Sequence, residues 1–224
     1  MNLNDGDKRA LSRTRDRAAG SPRRTQADRS AATRAALADA AIDLLIEQGW
    51  ASVSAAEVCK RVGVTRGAFH HHYLTLPGLL ADALRRLYAE MRRKDRPRAS
   101  DLATLIDVTW AAIGNPRFKA VLEAWLAMAN DPSLRAEIGP VVAEFSTLVR
   151  PDAIAPAILT SDEHRAFYLM AREAMLGLAL GRATNRGKPV AHEKAVLARL
   201  RADALRIRRI AKPISQPSSL KRDQ

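Results

Sequence analysis

Cysteine is nearly missing from this chain of 224 residues, where Cys59 stands alone. One cysteine excludes an intrachain disulfide and a cysteine-built zinc site, and points to a reducing interior. Long apolar runs are missing too: none approaches the ~18–20 residues that span a bilayer. The first 28 residues are polar and charged, without the apolar core of a secretory signal. The chain therefore reads as cytoplasmic, with no membrane partner. It also lacks a glycine-rich phosphate loop, a His-x-x-x-His pair and a nucleophile elbow. His164 and His192 are isolated. No enzyme, cofactor or metal site is expected.

Acidic residues are in deficit, 24 against 37 basic ones, for a net charge of +13. Such a balance favours a polyanionic partner, nucleic acid before membrane. The excess is spread out: residues 1–29 hold eight basic and four acidic side chains, and 97–211 hold sixteen and twelve. Charge thus names a class of partner without locating a site. The surplus of arginine over lysine and the abundant alanine suggest a bacterial source with a GC-rich genome.

What remains is almost entirely helical at period 3.6, with no strand-like alternation. Residues 1–29 read as a disordered basic arm and 212–224 as a disordered tail. A first helix is expected from about Ser30 to Gln48, with Leu37, Ala41, Leu44 and Leu45 on one face and Gly49 ending it. Ser54-Ala55-Ala56-Glu57 reads as a capping box opening a short helix to Val62. After Gly63, Thr65 can cap a third helix from Arg66. Further helices follow the punctuation: Pro77 to Asp95, Ser100 to Ile113, one opened by Asn115-Pro116 to Ala129, and one opened by Asp131-Pro132 to Val149. Two more run from Ser161 to Thr184 and from beyond Pro189 to Ile210. The total is about nine helices, an all-α protein.

Ser54 to Tyr73 carries the functional information. Two short capped helices flank a glycine turn, the pattern of a helix-turn-helix, whose second helix lies in the DNA major groove. Val58 and Val62 would face inward from the first of these helices, Phe69 and Tyr73 from the second. Arg66, Gly67, His70 and His71 are left outside, polar or without a side chain.

At these residues the chain resembles the TetR family of transcriptional regulators, of the TetR/AcrR type. The likeness runs without a gap from Arg34-Ala35-Ala36-Leu37 through Ala40-Ala41, Leu44-Leu45, Gly49 and Gly63-Val64-Thr65-Arg66-Gly67-Ala68-Phe69 to His71-His72-Tyr73 and Leu79-Leu80. The resemblance implies a three-helix DNA-binding domain, placed here at 30–90 with its helix-turn-helix at 54–73. It also implies a C-terminal ligand-binding and dimerising domain, placed at 91–211. The implied function is a homodimeric repressor, released from a palindromic operator on double-stranded DNA by a small-molecule effector. Carried over residue by residue, Ser54 and Thr65 resemble phosphate contacts and Arg66 the base reader. Gly67 would allow close backbone approach, while His70, His71 and His72 fall where such regulators touch phosphates and bases. The chain departs from the family at Leu74 and Leu76, where a glycine and a phosphate-clamping lysine are common, and at Pro77, which replaces a usual acidic residue. Lys60, Arg61 and the arm are candidates to compensate.

Plainer readings stand beside these. Consecutive histidines fan out ~100° apart on a helix, so the triplet does not aim at one metal ion. Cys59 reads as a core thiol, with a redox sensor as the alternative. Trp110, Trp125, Met128 and Tyr168 are candidate walls of an effector pocket, or simply core. Ala174, Gly177 and Gly181 allow close helix approach, across a dimer or within one subunit. The alternative function is a non-specific architectural DNA binder, which spread positive charge would suit. The helix from Pro77 to Asp95 is the expected lever between the two domains.

Overall fold

The computed structural model describes residues 25–92 and 98–210. The arm up to residue 24 and the tail from 211 lie outside the described residues. Among the described ones stand ten α-helices, one 3-10 turn and no strand. The helices are α1 (Gln26–Gln48), α2 (Ala55–Val62), α3 (Arg66–His72), α4 (Leu76–Met91), α5 (Leu102–Ile113), α6 (Phe118–Asn130), α7 (Pro132–Leu148), α8 (Pro151–Ile154), α9 (Asp162–Thr184) and α10 (Glu193–Ile210). The 3-10 turn, Trp50–Ser52, joins α1 to α2.

Local chemistry sets most of these ends, and it corrects several expected ones. α1 starts four residues early because Thr25 and Asp28 form a reciprocal capping box, each side chain accepting from the other's amide. Residues 26–29, expected in the arm, are therefore helical. At α2 the box is only half made: Ser54 Oγ accepts from Glu57 N at 3.2 Å, while Glu57 reaches forward toward Lys60 at 3.9 Å. Gly63 adopts φ 75°, ψ 32°, a left-handed turn that costs an L side chain about 1–2 kcal/mol. α4 runs to Met91, and its expected end at Asp95 lies outside the described residues. α5 begins at Leu102, two residues after the expected start, with Asp101 as its cap. α6 begins at Phe118, since Asn115 spends its side chain on Arg117 N in a preceding turn. The short α8, absent from the expected set, makes the count ten.

The helices pack on a continuous apolar core. α1 lies at its centre, with Leu37, Ala38, Ala40, Ala41, Ile42, Leu44 and Leu45 all buried. It touches α2, α3, α4 and α6. Polar links fasten it further: Arg34 pairs with Asp82 and Arg86 with Asp39, both reaching between α1 and α4. The Tyr73 hydroxyl donates to Asp82, and the Arg34 guanidinium lies 4.7 Å from the Tyr73 ring centroid. α4 packs against α7 on its other side, where the Tyr88 and Phe145 rings stack at 3.8 Å. α5, α9 and α10 form the far layer.

One ion pair ties that layer together. Arg182 on α9 donates Nε and Nη2 to the Glu193 carboxylate, both at 2.6 Å, and Nη1 to Gly114 O at 2.7 Å. The hydrogen bonds from Arg182 hold the Glu193 carboxyl below its ordinary value of 4.5, against the opposing effect of burial. The pair's contribution is thus complete above pH 4.5 and is lost as the pH falls through the depressed folded value. Glu193→Gln should lower stability at pH 7 by about 2 kcal/mol, the scale of charge-assisted hydrogen bonds. Urea unfolding of wild type and variant should converge in acid. A gap that persists unchanged at pH 3 would contradict the assignment.

Candidate nucleic-acid interface and an adjoining cleft

The helix-turn-helix is held from behind and open in front. Val58 on α2 and Phe69 on α3 are buried at 0% and 1% exposure, and Tyr73 just beyond α3 at 4%. Cys59 is buried beside them, with its thiol 3.7 Å from Thr65 O. Thr65 Oγ1 caps α3 by accepting from Ala68 N at 3.1 Å. The caps leave the hydroxyl protons of Ser54 and Thr65 free to donate outward.

The residues expected at the interface are largely open to solvent. Ser54, Lys60, Thr65, Arg66, Gly67, His70 and His71 are all exposed. His72 is only half-buried, and burial, then its neighbours His71 and Arg34, lower its pKa below 6.5. No three His, Cys, Asp or Glu side chains among the described residues could jointly hold a metal ion.

Of the expected compensating cations, the arm lies outside the described residues, and Lys60 is 79% exposed with only the long 3.9 Å approach of Glu57 beside it. Arg61 is committed to Glu47 through two hydrogen bonds, which lower the carboxyl's pKa. The two departures behave oppositely. Leu74 stands 87% exposed beside α3, whereas Leu76 turns back on the first turn of α4 and packs against the core. Thr75 between them caps α4, accepting from Gly78 N.

The four expected pocket residues stand in different surroundings. Tyr168 is 1% exposed within the core. Trp125 donates Nε1 to the Tyr88 hydroxyl at 3.0 Å, and burial pushes the pKa of that phenol up to about 12. Trp110 lies under the Arg182 guanidinium, 4.9 Å from its ring centroid. A cavity of about 550 Å³ lies between the end of α1, the α5–α6 turn and the end of α9. None of Trp110, Trp125, Met128 and Tyr168 lines it. The same junction holds a pair of polar clamps that sequence reasoning missed. Lys119 Nζ donates to Ile46 O at 2.6 Å, and Trp50 N donates to Glu123 Oε2 at 3.0 Å. Their acceptor and donor are main-chain groups 73 residues away, for which no sequence signal exists.

The glycine pair on α9 also divides. A Cβ on Gly181 would meet Val190 Cγ1 at 2.9 Å, so Gly181 serves close packing within the subunit. A Cβ on Gly177 would meet nothing within 4 Å. Ala174, one turn earlier, is half-buried.

Similarity to known proteins follows this geometry. A family model described as "Bacterial regulatory proteins, tetR family" matches residues 37–75, which run from α1 through both short helices. The chain is 33% identical over 123 residues to the HTH-type transcriptional regulator CymR of Pseudomonas putida, covering 52% of this chain and 61% of that protein. It is 32% identical over 143 residues to an uncharacterised HTH-type transcriptional regulator of Mycobacterium bovis, covering 59% of this chain and 71% of that one. Among solved structures, a transcriptional regulator from Rhodococcus sp. Rha1 superposes with a TM-score of 0.61 at 24% identity, over 77% of this chain and 96% of the other. That likeness speaks for the fold.

The open face and the buried back of α3 separate by mutation. Phe69→Ala should cost about 3–5 kcal/mol of stability, whereas Arg66→Ala should leave it within ~0.5 kcal/mol. Urea denaturation followed by circular dichroism measures both. A large loss for Arg66→Ala would mean that its side chain serves the fold.

Proposed function

The chain belongs to the TetR family of bacterial regulatory proteins, and on that premise we propose that it is a homodimeric repressor released from a palindromic operator by a small-molecule effector. The observation that carries this reading is the arrangement of α3: Phe69 buried on one face, Arg66, His70 and His71 exposed on the other. Arg66 reads a base in the major groove, where arginine on guanine is the commonest specific contact. Ser54, Lys60, Thr65 and the histidines contact the backbone, and Gly67 lets the helix approach closely. Such contacts position the protein, while base contacts specify the site. Leu76 leaves the usual lysine contact unfilled, so Lys60 takes a larger share of the phosphate energy. No helix among the described residues is long and apolar enough to cross a membrane.

The dimer reading is supported by α9 and α10. On α9, Met170, Gly177 and Leu180 are exposed and Ala174 half-buried. On α10, Ala195, Ala198, Ala202 and Leu205 are exposed at helical spacing. Small residues interleaved with a few large apolar ones suit close helix packing against a second copy. Two α3 helices would then enter successive major grooves ~34–36 Å apart. An effector releases DNA by favouring a state that misplaces this spacing, and α4, paired to α1 by two ion pairs and packed on α7, is the lever.

Binding to the DNA upstream of the protein's own gene, against scrambled DNA across a salt series, tests the reading. A specificity ratio of ~10³ or more with a two-fold footprint is expected. Equal affinity for both DNAs, collapsing with salt, would instead indicate an architectural binder. Arg66→Ala should cost about 1–3 kcal/mol and relax preference at one base position. Gly177→Arg should preserve helix content but yield a monomer by sedimentation, with operator affinity lost alongside. A variant that remains dimeric would remove Gly177 from the interface.

A further inference from the structure

We propose that the cleft between the end of α1, the α5–α6 turn and the end of α9 binds a small organic anion, a carboxylate on a compact apolar body, and that its occupancy loosens the hold of α6 on α1. The proposal rests on the reading of the chain as an effector-responsive regulator, and names the effector's class and site.

Size and lining fit such a ligand. The cavity, about 550 Å³, falls within the ~300–1,000 Å³ typical of small-molecule sites. Ile46, Ile113, Pro116, Phe118 and Ala179 give it apolar walls. Three cations line it, Lys119, Arg182 and Arg186, against a single carboxylate, Glu47. Glu47 is neutralised by Arg61. Arg182 is neutralised in the same way by Glu193 and tied to Gly114 O, a fixed wall that leaves Lys119 and Arg186 to attract an anion.

Arg186 is the available cation. It has no ion pair or hydrogen bond among the described residues, is exposed, and holds φ 55°. A residue other than glycine in that region is uncommon, and here it brings a long guanidinium to the rim of the cavity. Fork geometry suits it to a carboxylate.

Lys119 connects occupancy to the DNA-binding helices. Its ammonium satisfies Ile46 O, one of the last carbonyls of α1, which the helix itself leaves without a donor. Glu123, 4.0 Å from that ammonium, holds Trp50 N at the start of the turn leading to Ser54. A ligand carboxylate in the cleft competes with the neutral carbonyl for Lys119, and the charged acceptor makes the stronger bond. One of the two clamps between α6 and the α1–α2 connection is then released. This differential interaction with two states is what an effector requires.

Calorimetric titration of the full chain without DNA, using octanoate and benzoate beside octanamide and benzamide, tests the site. At least one carboxylate should bind about tenfold or more tightly than its amide, the scale of one charge-assisted hydrogen bond. Arg186→Asn tolerates the left-handed backbone, and Lys119→Met keeps the aliphatic stem. Each should weaken carboxylate binding by about tenfold, with an unfolding midpoint measured in parallel to show that the fold persists. Amide chemical shifts should move at Ile46, Lys119 and Arg186. No carboxylate binding, equal binding of the amides, unaltered affinity in folded Arg186→Asn, or shifts confined to the surroundings of Trp125 and Tyr168 would each overturn the proposal. Carboxylate binding without operator preference would retain the cleft and remove the regulator reading. Operator preference without carboxylate binding would remove the cleft alone.

Discussion

The structure depends on the burial of one helix on nearly all sides. From Leu37 to Leu45, α1 gives up almost every side chain to its neighbours. Each large apolar residue so buried contributes ~1.5–3 kcal/mol. The helices it satisfies belong to different parts of the chain: α2 and α3 on one side, α4 and α6 on the others. The DNA-facing helices and the helices around the cleft therefore share a core. A displacement of α6 is felt by α1 because packed interiors transmit strain instead of absorbing it.

That shared core explains how a helix as short as α3 can present so polar a face. Seven residues are far below the length at which an isolated helix is stable in water. The Thr65 cap, the buried Phe69 and the Tyr73 ring packed under Arg34 supply what length does not. With its back fixed by three contacts, the front is free of structural duty. Arg66, His70 and His71 can then be chosen for a partner instead of for the fold. Leu74 and Leu76 illustrate the same division, since one side chain is turned out and the other packs against the core.

Much of this was legible in the order of residues. Helical class, the two capped helices around Gly63, the inward Val58, Phe69 and Tyr73, and the outward Arg66, Gly67, His70 and His71 all follow from short-range rules. Caps, glycine turns and a 3.6-residue period act over a few positions, so a reader of the chain sees them whole. Differences of a few residues arose at helix starts, as at Gln26 against Ser30 and Leu102 against Ser100, where Thr25 and Asp101 cap the helices. The resemblance to a known family rested on the same local segment, residues 37–75 in the family match.

What escaped that reading is long-range. Tryptophans and a tyrosine on α5, α6 and α9 suggested either core or a pocket wall, because an aromatic stripe looks alike whether it faces a cavity or a neighbour. Packing put Tyr168 in the core and Trp125 against Tyr88. Gly177 and Gly181, equivalent by spacing, were separated by the position of Val190 alone. Arg61 was taken by Glu47, and Lys119 and Glu123 found main-chain partners 73 residues distant. Local sequence thus specifies helices and the polarity of their faces, because those energies are summed over neighbours in the chain. Which faces meet, and which cations remain without a partner, depends on contacts between segments that share no local signal.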